Sequence, residues 1–159
     1  SGWVLENGAL TGNDNPNADP EILVAIGELA TSIGAADITE IEFITTAFDV
    51  SNGGTLQVRV RFNEAVDVTG TPQLTVVNDS RANHTLSYAS GTGSNELVFS
   101  LTIAAGGGGV IAADDELSIG ANATALNGGT IKDAGTSTNS TITNAASIGT
   151  AAGTITATA

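Results

Sequence analysis

Cysteine and methionine are absent from this 159-residue chain, and it has one His, one Trp, one Tyr and only four basic side chains. Without cysteine there is no disulfide framework, no zinc-thiolate site and no thiol nucleophile. Any Ser-His-Asp arrangement would depend on His84, whose setting "RANHTL" lacks a nucleophile elbow, so His84 is expected on the surface. Arg59, Arg61, Arg81 and Lys132 face 17 acids, for a net charge of -13. Phosphate backbones and anionic lipid repel such a chain, which excludes nucleic acid and membrane surfaces as partners. No run of roughly 18 apolar residues and no basic-then-apolar leader occurs, so neither a membrane span nor a signal peptide is expected. "AGGGGV" lacks the Lys-Ser/Thr of a phosphate loop and reads as a flexible connection. Asp114, Asp115 and Glu116 form a like-charge run without calcium-loop spacing and are expected in a solvated loop. The sequon matches at Asn83, Asn122 and Asn139 are what chance supplies in a chain this rich in Asn and Thr.

What remains is Thr, Val, Ile, Leu and Ala, punctuated by 20 glycines. That composition marks an all-β domain. Leu56, Val58, Val60 and Phe62 share one parity while Gln57, Arg59, Arg61 and Asn63 share the other, the pattern of a sheet with one dry face. Leu97, Phe99, Leu101 and Ile103 repeat it, Leu86 and Tyr88 continue it, and "SNGG" (51–54) supplies a turn that tolerates positive φ. The tail around Ile155 reads as a closing strand. Seven or eight short strands at roughly ten-residue spacing describe a β-sandwich. Ahead of it, residues 1–37 read as a separate attachment segment, leaving 38–159 as the sandwich. Ile22, Ile26, Leu29 and Ile33 recur at helical spacing after Asp19-Pro20-Glu21, which favours a short helix, although "EILVAIGE" also reads as a buried strand. Trp3, Val4, Leu5, Ile22, Ile26 and Leu29 are the candidate partner-interface residues of this segment, with Trp3 its strongest anchor.

Glu64 breaks the pattern, because it follows Phe62 on the dry parity. Three readings compete. The strand ends at Phe62 and a bend or bulge resets the alternation; or Glu64 joins Asp67 and Asp133 to hold Ca²⁺; or Glu64 is a catalytic acid with a raised pKa.

Three stretches carry a resemblance. "VRVRFNEAVDVTGTPQLTV", "LSYASGTGSNELVFSLTIAAG" and "LNGGTIKDAG" are similar, in order, to a family of bacterial Ig-like repeats. The matching positions are Phe62, Glu64, Val66, Val68, Gly70, Pro72 and Leu74; Tyr88, Ser90, Gly91, Gly93, Asn95, Leu97 and Phe99; and Leu126, Asn127, Gly128, Gly129, Ile131 and Asp133. The resemblance implies an Ig-like sandwich in which Glu64 marks a strand end. A single such unit with an attachment segment further resembles structural proteins of tailed bacteriophages, particularly those infecting marine cyanobacteria. That implies an exterior capsid decoration protein, not an enzyme and without a cofactor. It would be made in the host cytoplasm and bound to the major capsid protein or to neighbouring copies, as a homo-oligomer or otherwise. The alternative is an adhesin module that binds glycans on a host surface. With Trp3 and Tyr88 as its only large amphipathic rings, the chain has little with which to stack on sugars.

Overall fold

A computed structural model describes residues 34–159 in full and, ahead of them, the backbone of strands β1 (Gly2–Val4) and β2 (Ile22–Ala25). The chain divides into two compact units, Ser1–Gly34 and Ala35–Ala159. The division falls three residues before the expected one at 37/38. Ala36 is fully buried in the core of the larger unit, and Asp37 exchanges hydrogen bonds with Asn63 there.

In the first unit β1 and β2 pair antiparallel, Gly2 opposite Ala25 and Trp3 opposite Val24. The helix favoured for this stretch is therefore corrected at Ile22–Ala25, which is a strand. Its β-branched Ile and Val favour an extended chain once a partner strand is present. Leu5, Ile26 and Leu29 lie outside the described residues, as do the side chains of Trp3, Val4 and Ile22.

The larger unit is all-β and sandwich-like. Its strands are β3 (Ile38–Phe43), β4 (Phe48–Asp49), β5 (Gly54–Thr69), β6 (Gln73–Asn78), β7 (His84–Ser90), β8 (Ser94–Ile103), β9 (Glu116–Ser118), β10 (Thr124–Ala125), β11 (Thr130–Asp133) and β12 (Ile155–Thr158). They form one curled mixed sheet in the order β11-β5-β8-β7-β6-β9-β12-β4, with β3 beside β5 and β10 beside β6. A short helix, α1 (Ala146–Ala151), precedes β12. The curl brings the apolar parity of each strand to one interior: Leu56, Val58, Val60 and Phe62 meet Leu74, Val76, Leu86, Leu97, Phe99 and Leu117 there, each at most 1% exposed. Side chains of this size contribute about 1.5–3 kcal/mol each when fully buried. Tyr88 sets its ring edge-to-face on Phe99, with centroids 6.1 Å apart, worth about 0.5–1.5 kcal/mol beyond its area.

β5 does not end at Phe62. It runs on for 16 residues, and it changes partners on the way. Its first half pairs with β3 and β8, as far as Ile38 opposite Phe62 and Glu96 opposite Arg61. Its second half pairs with β11, from Asp133 opposite Val66 to Thr130 opposite Thr69. Between Arg61 and Val66 the chain advances five residues while β8 advances two, from Glu96 to Ser94. This is a large bulge, and it leaves the parity intact, since Phe62 and Val66 are both buried.

The turn after β7 closes that gap. Gly93 donates its N–H to the Val66 carbonyl (2.8 Å), the Thr92 hydroxyl accepts from the Val68 N–H (2.9 Å), and the Tyr88 hydroxyl accepts from the Thr92 N–H (2.9 Å). These bonds take over where the β5–β8 ladder stops. On the other side Gly129 lies so close that a side chain on Gly70 would come within 2.8 Å of its Cα, and Asn127 Nδ2 donates to the Thr71 carbonyl (3.2 Å). Gly91 has φ +116°, and a Cβ there would land on the Glu96 carbonyl oxygen. Gly93, at φ +79°, has open space around it. Gly93→Ala is expected to cost about 1–2 kcal/mol for its backbone conformation alone. Gly91→Ala should cost at least about 1 kcal/mol more, since a fixed carbonyl must also move. Urea melts of the two variants decide it; equal losses would contradict the packing of this turn.

Candidate functional site

Among the described residues, ionisable side chains enter the interior at two places. The first is the β5 bulge. Glu64 keeps the inward parity and is half-buried, and its Oε1 is enclosed without a hydrogen-bond partner. Asp133 is 3% exposed and reaches the same place from β11, where Val66 is its cross-strand neighbour. Asp133 Oδ2 accepts a hydrogen bond from the Thr136 hydroxyl (2.6 Å). Burial first, then the negative charges of Asp133 and Asp37, push the Glu64 carboxyl above its ordinary value.

The expectation that Glu64 marks a strand end is thus corrected. The bulge was anticipated, but it keeps the alternation where a reset was expected, and the strand continues to Thr69. Of the calcium trio, Glu64 and Asp133 come together and Asp67 does not. Asp67 stands on the opposite parity, exposed, across from Lys132. Among the described residues no three His, Cys, Asp or Glu side chains converge to hold a metal ion.

The second place is the start of β7. His84, expected on the surface, is 4% exposed, as are Asn78 and Asp115. Asn78 Nδ2 donates to Asp115 Oδ2 (3.0 Å) and lies 3.4 Å from His84 Nε2, while Arg81 Nε approaches the same Asp115 oxygen at 3.0 Å. Asp115 also accepts from the Ala112 N–H (3.0 Å). The hydrogen bond from Asn78, with those from Ala112 and Arg81, holds the Asp115 carboxyl below its ordinary value. Burial holds His84 below its ordinary value, against the pull of Asp115. The middle of the "DDE" run is therefore a buried anchor for the 78–84 loop, where solvated loop was expected. The register of β6, β7 and β9 brings these groups together across 37 residues of sequence, a separation that a local charge pattern does not reveal.

Beside His84 lies a cavity of about 370 Å³, bordered by β7, β8 and the glycine run. That run is not a loose connection: Gly106–Gly109 all have positive φ, and Gly107 is buried against Val50 and Ile111. On the outer face, Arg61 bridges Glu40 (2.6 Å) and Glu96 (2.7 Å), and Arg59 bridges Glu42 and Glu96. This ladder across β3, β5 and β8 fixes register; its half-exposed pairs are screened by water and individually weak. Three of the four cations are thus held by internal acids.

No family model, curated protein or solved structure matches this chain.

The raised Glu64 pKa has a pH consequence opposite in sign to that of most paired carboxylates. The folded state holds this proton more tightly than the unfolded chain, so the group favours folding most below the ordinary Glu value of about 4.3. Its contribution declines as pH rises through the raised folded-state value. Glu64→Gln keeps the shape and removes the charge. The variant should be more stable than the parent at pH 8, with the difference closing near pH 4, in urea melts followed by circular dichroism. A parent that is the more stable at pH 8 would show that Glu64 is well satisfied as a carboxylate.

Proposed function

We propose that this protein is a structural, non-enzymatic component of a tailed-phage particle, an exterior decoration whose Ig-like sandwich faces water and whose N-terminal unit attaches it to neighbouring subunits. The observation that carries the reading is the division at Gly34/Ala35. The residues that resemble Ig-like repeats all fall in the larger unit, and there most of them gather around one structural feature, the second half of β5, while Leu97 and Phe99 pair with its first half. Val66, Val68, Gly70 and Pro72 lie along it or at its exit; Tyr88, Gly91 and Gly93 belong to the turn bonded to it; Ile131 and Asp133 pair with it, and Gly129 closes on Thr69 and Gly70. Those residues serve the fold, which leaves attachment to the other unit.

The first unit has the character of an attachment device. A two-stranded sheet is marginal by itself in water, and β1–β2 gains stability by docking. The same short stretch carries Trp3, Val4, Leu5, Ile22, Ile26 and Leu29, and each such side chain contributes on the order of 1.5–3 kcal/mol when buried. The excess of acid over base suits the other unit to solvent, where like charge keeps crowded copies apart.

Removal of residues 1–34 tests the reading. The truncated protein should keep a β-rich circular dichroism spectrum and a cooperative melt, yet be absent from particles assembled in its presence, whereas the full chain co-purifies with them. Truncated protein that still binds particles would place attachment on the sandwich. Full-length protein that never associates with particles but binds a glycan array selectively would replace the virion reading with the adhesin one.

A further inference from the structure

We propose that the cleft between the start of β7 and the end of β8 is a docking groove for an extended, basic polypeptide segment of a partner, which pairs there as an added strand. The β7–β8 ladder is short, joining Ser87–Ser90 to Val98–Ser100. Beyond it the two strands separate, while each keeps its partner on the far side. His84–Leu86 stays paired with Leu74–Val76, and Leu101–Ile103 stays paired with Gly54–Leu56. Among the described residues, the edges that these two stretches turn toward one another have no ladder partner. Unpaired edges of this kind are templates for another strand.

The space between them is the cavity of about 370 Å³, walled by Asn83, His84 and Thr85 on one side, Thr102 and Ile103 on the other, and Val110 at the glycine turn. Three residues of open edge extend about 10 Å, the reach of a three-residue strand. Val110 is 48% exposed, an apolar side chain at the mouth that an incoming segment would cover. None of the residues lining the cavity is Phe, Tyr or Trp, and His84 is buried, so it offers sugar rings little to stack on.

Charge selects the occupant. No charged side chain lines the cleft itself; behind His84 lies the buried Asp115, and Asp79 is tied to Glu116 by its own N–H and by its carboxylate, which accepts from the Glu116 N–H. The one cation in this cluster, Arg81, is bonded to Asp115. A segment with Lys or Arg flanking small apolar residues complements these acids and the chain's net charge of -13, and an acidic one is repelled. The inference stands independently of the virion reading, since it concerns a groove on the larger unit.

Titration of the isotope-labelled full chain with the capped pentapeptide Lys-Val-Thr-Val-Lys tests it by amide NMR. Saturable shifts should concentrate at Thr85, Thr102 and Val110. Replacing both lysines by Glu should weaken binding by about tenfold or more. N-methylation of the central Thr and one Val should abolish it, because strand pairing needs those N–H groups. Val110→Ser, at an exposed position that tolerates substitution, should weaken binding of the unmodified peptide. The proposal is overturned by an absence of saturable shifts at these three amides. It is equally overturned by shifts spread over the acidic surface that survive N-methylation, which would mean charge attraction without a groove.

Discussion

Everything else in the larger unit depends on how β5 passes from one set of neighbours to another at Asn63–Ala65. β5, 16 residues long in a curled sheet, does not keep one unbroken ladder. β5 gives up β3 and β8, inserts its extra residues, and continues against β11 on one side and the Tyr88–Ser94 turn on the other. The lost ladder bonds are replaced by Gly93 N–H to the Val66 carbonyl and by the Thr92 hydroxyl at the Val68 N–H. Because the bulge preserves parity, Val66 and Ile131 extend the same core that Phe62 closes. The cost falls on Glu64, whose carboxyl shares the inner parity with its apolar neighbours.

This constraint explains which features were legible in the sequence. The alternation of Leu56–Phe62 and Leu97–Ile103 is a property of single strands, and the strands follow it. The glycines at 91, 93, 128 and 129 announce turns, and turns occur there. The continuation of β5 was not legible, because a carboxylate on the dry parity reads locally as the end of burial. Its support comes from Thr92 and Asp133, some 24 or more residues away. His84 and Asp115 were misread for the same reason. Each looks like a surface residue beside its sequence neighbours, and the β6–β7 and β6–β9 pairings put both inside. Strand β2 was weighed but not favoured, because an Ile-Leu-Val run satisfies helical and extended spacing alike. Helix α1 lies in a small-residue stretch, Ala-Ser-Ile-Gly-Thr-Ala, with no periodic apolar face to signal it.

Labour is divided among the polar groups of the larger unit. Acids on the outer face are partly spent on Arg59 and Arg61, where they fix the register of β3, β5 and β8. Asp115 and Arg81 anchor the loop that borders the β7–β8 cleft. These polar groups hold strands and loops in place, which accords with the structural role proposed for the chain. The cleft is a second gap in the sheet, beside the break in the β5–β8 ladder at the bulge.

The central claim is that β5 is one continuous element, held past Phe62 as firmly as before it. Native-state hydrogen exchange at the amides of Val58, Val60, Val68 and Gly93 measures this directly. If the turn truly replaces the ladder, Val68 and Gly93 will exchange only through the global unfolding that releases Val58 and Val60, with the same opening free energy. Exchange of Val68 and Gly93 through a local opening, well before the first half of β5, would contradict the account and make the strand end at Phe62 after all.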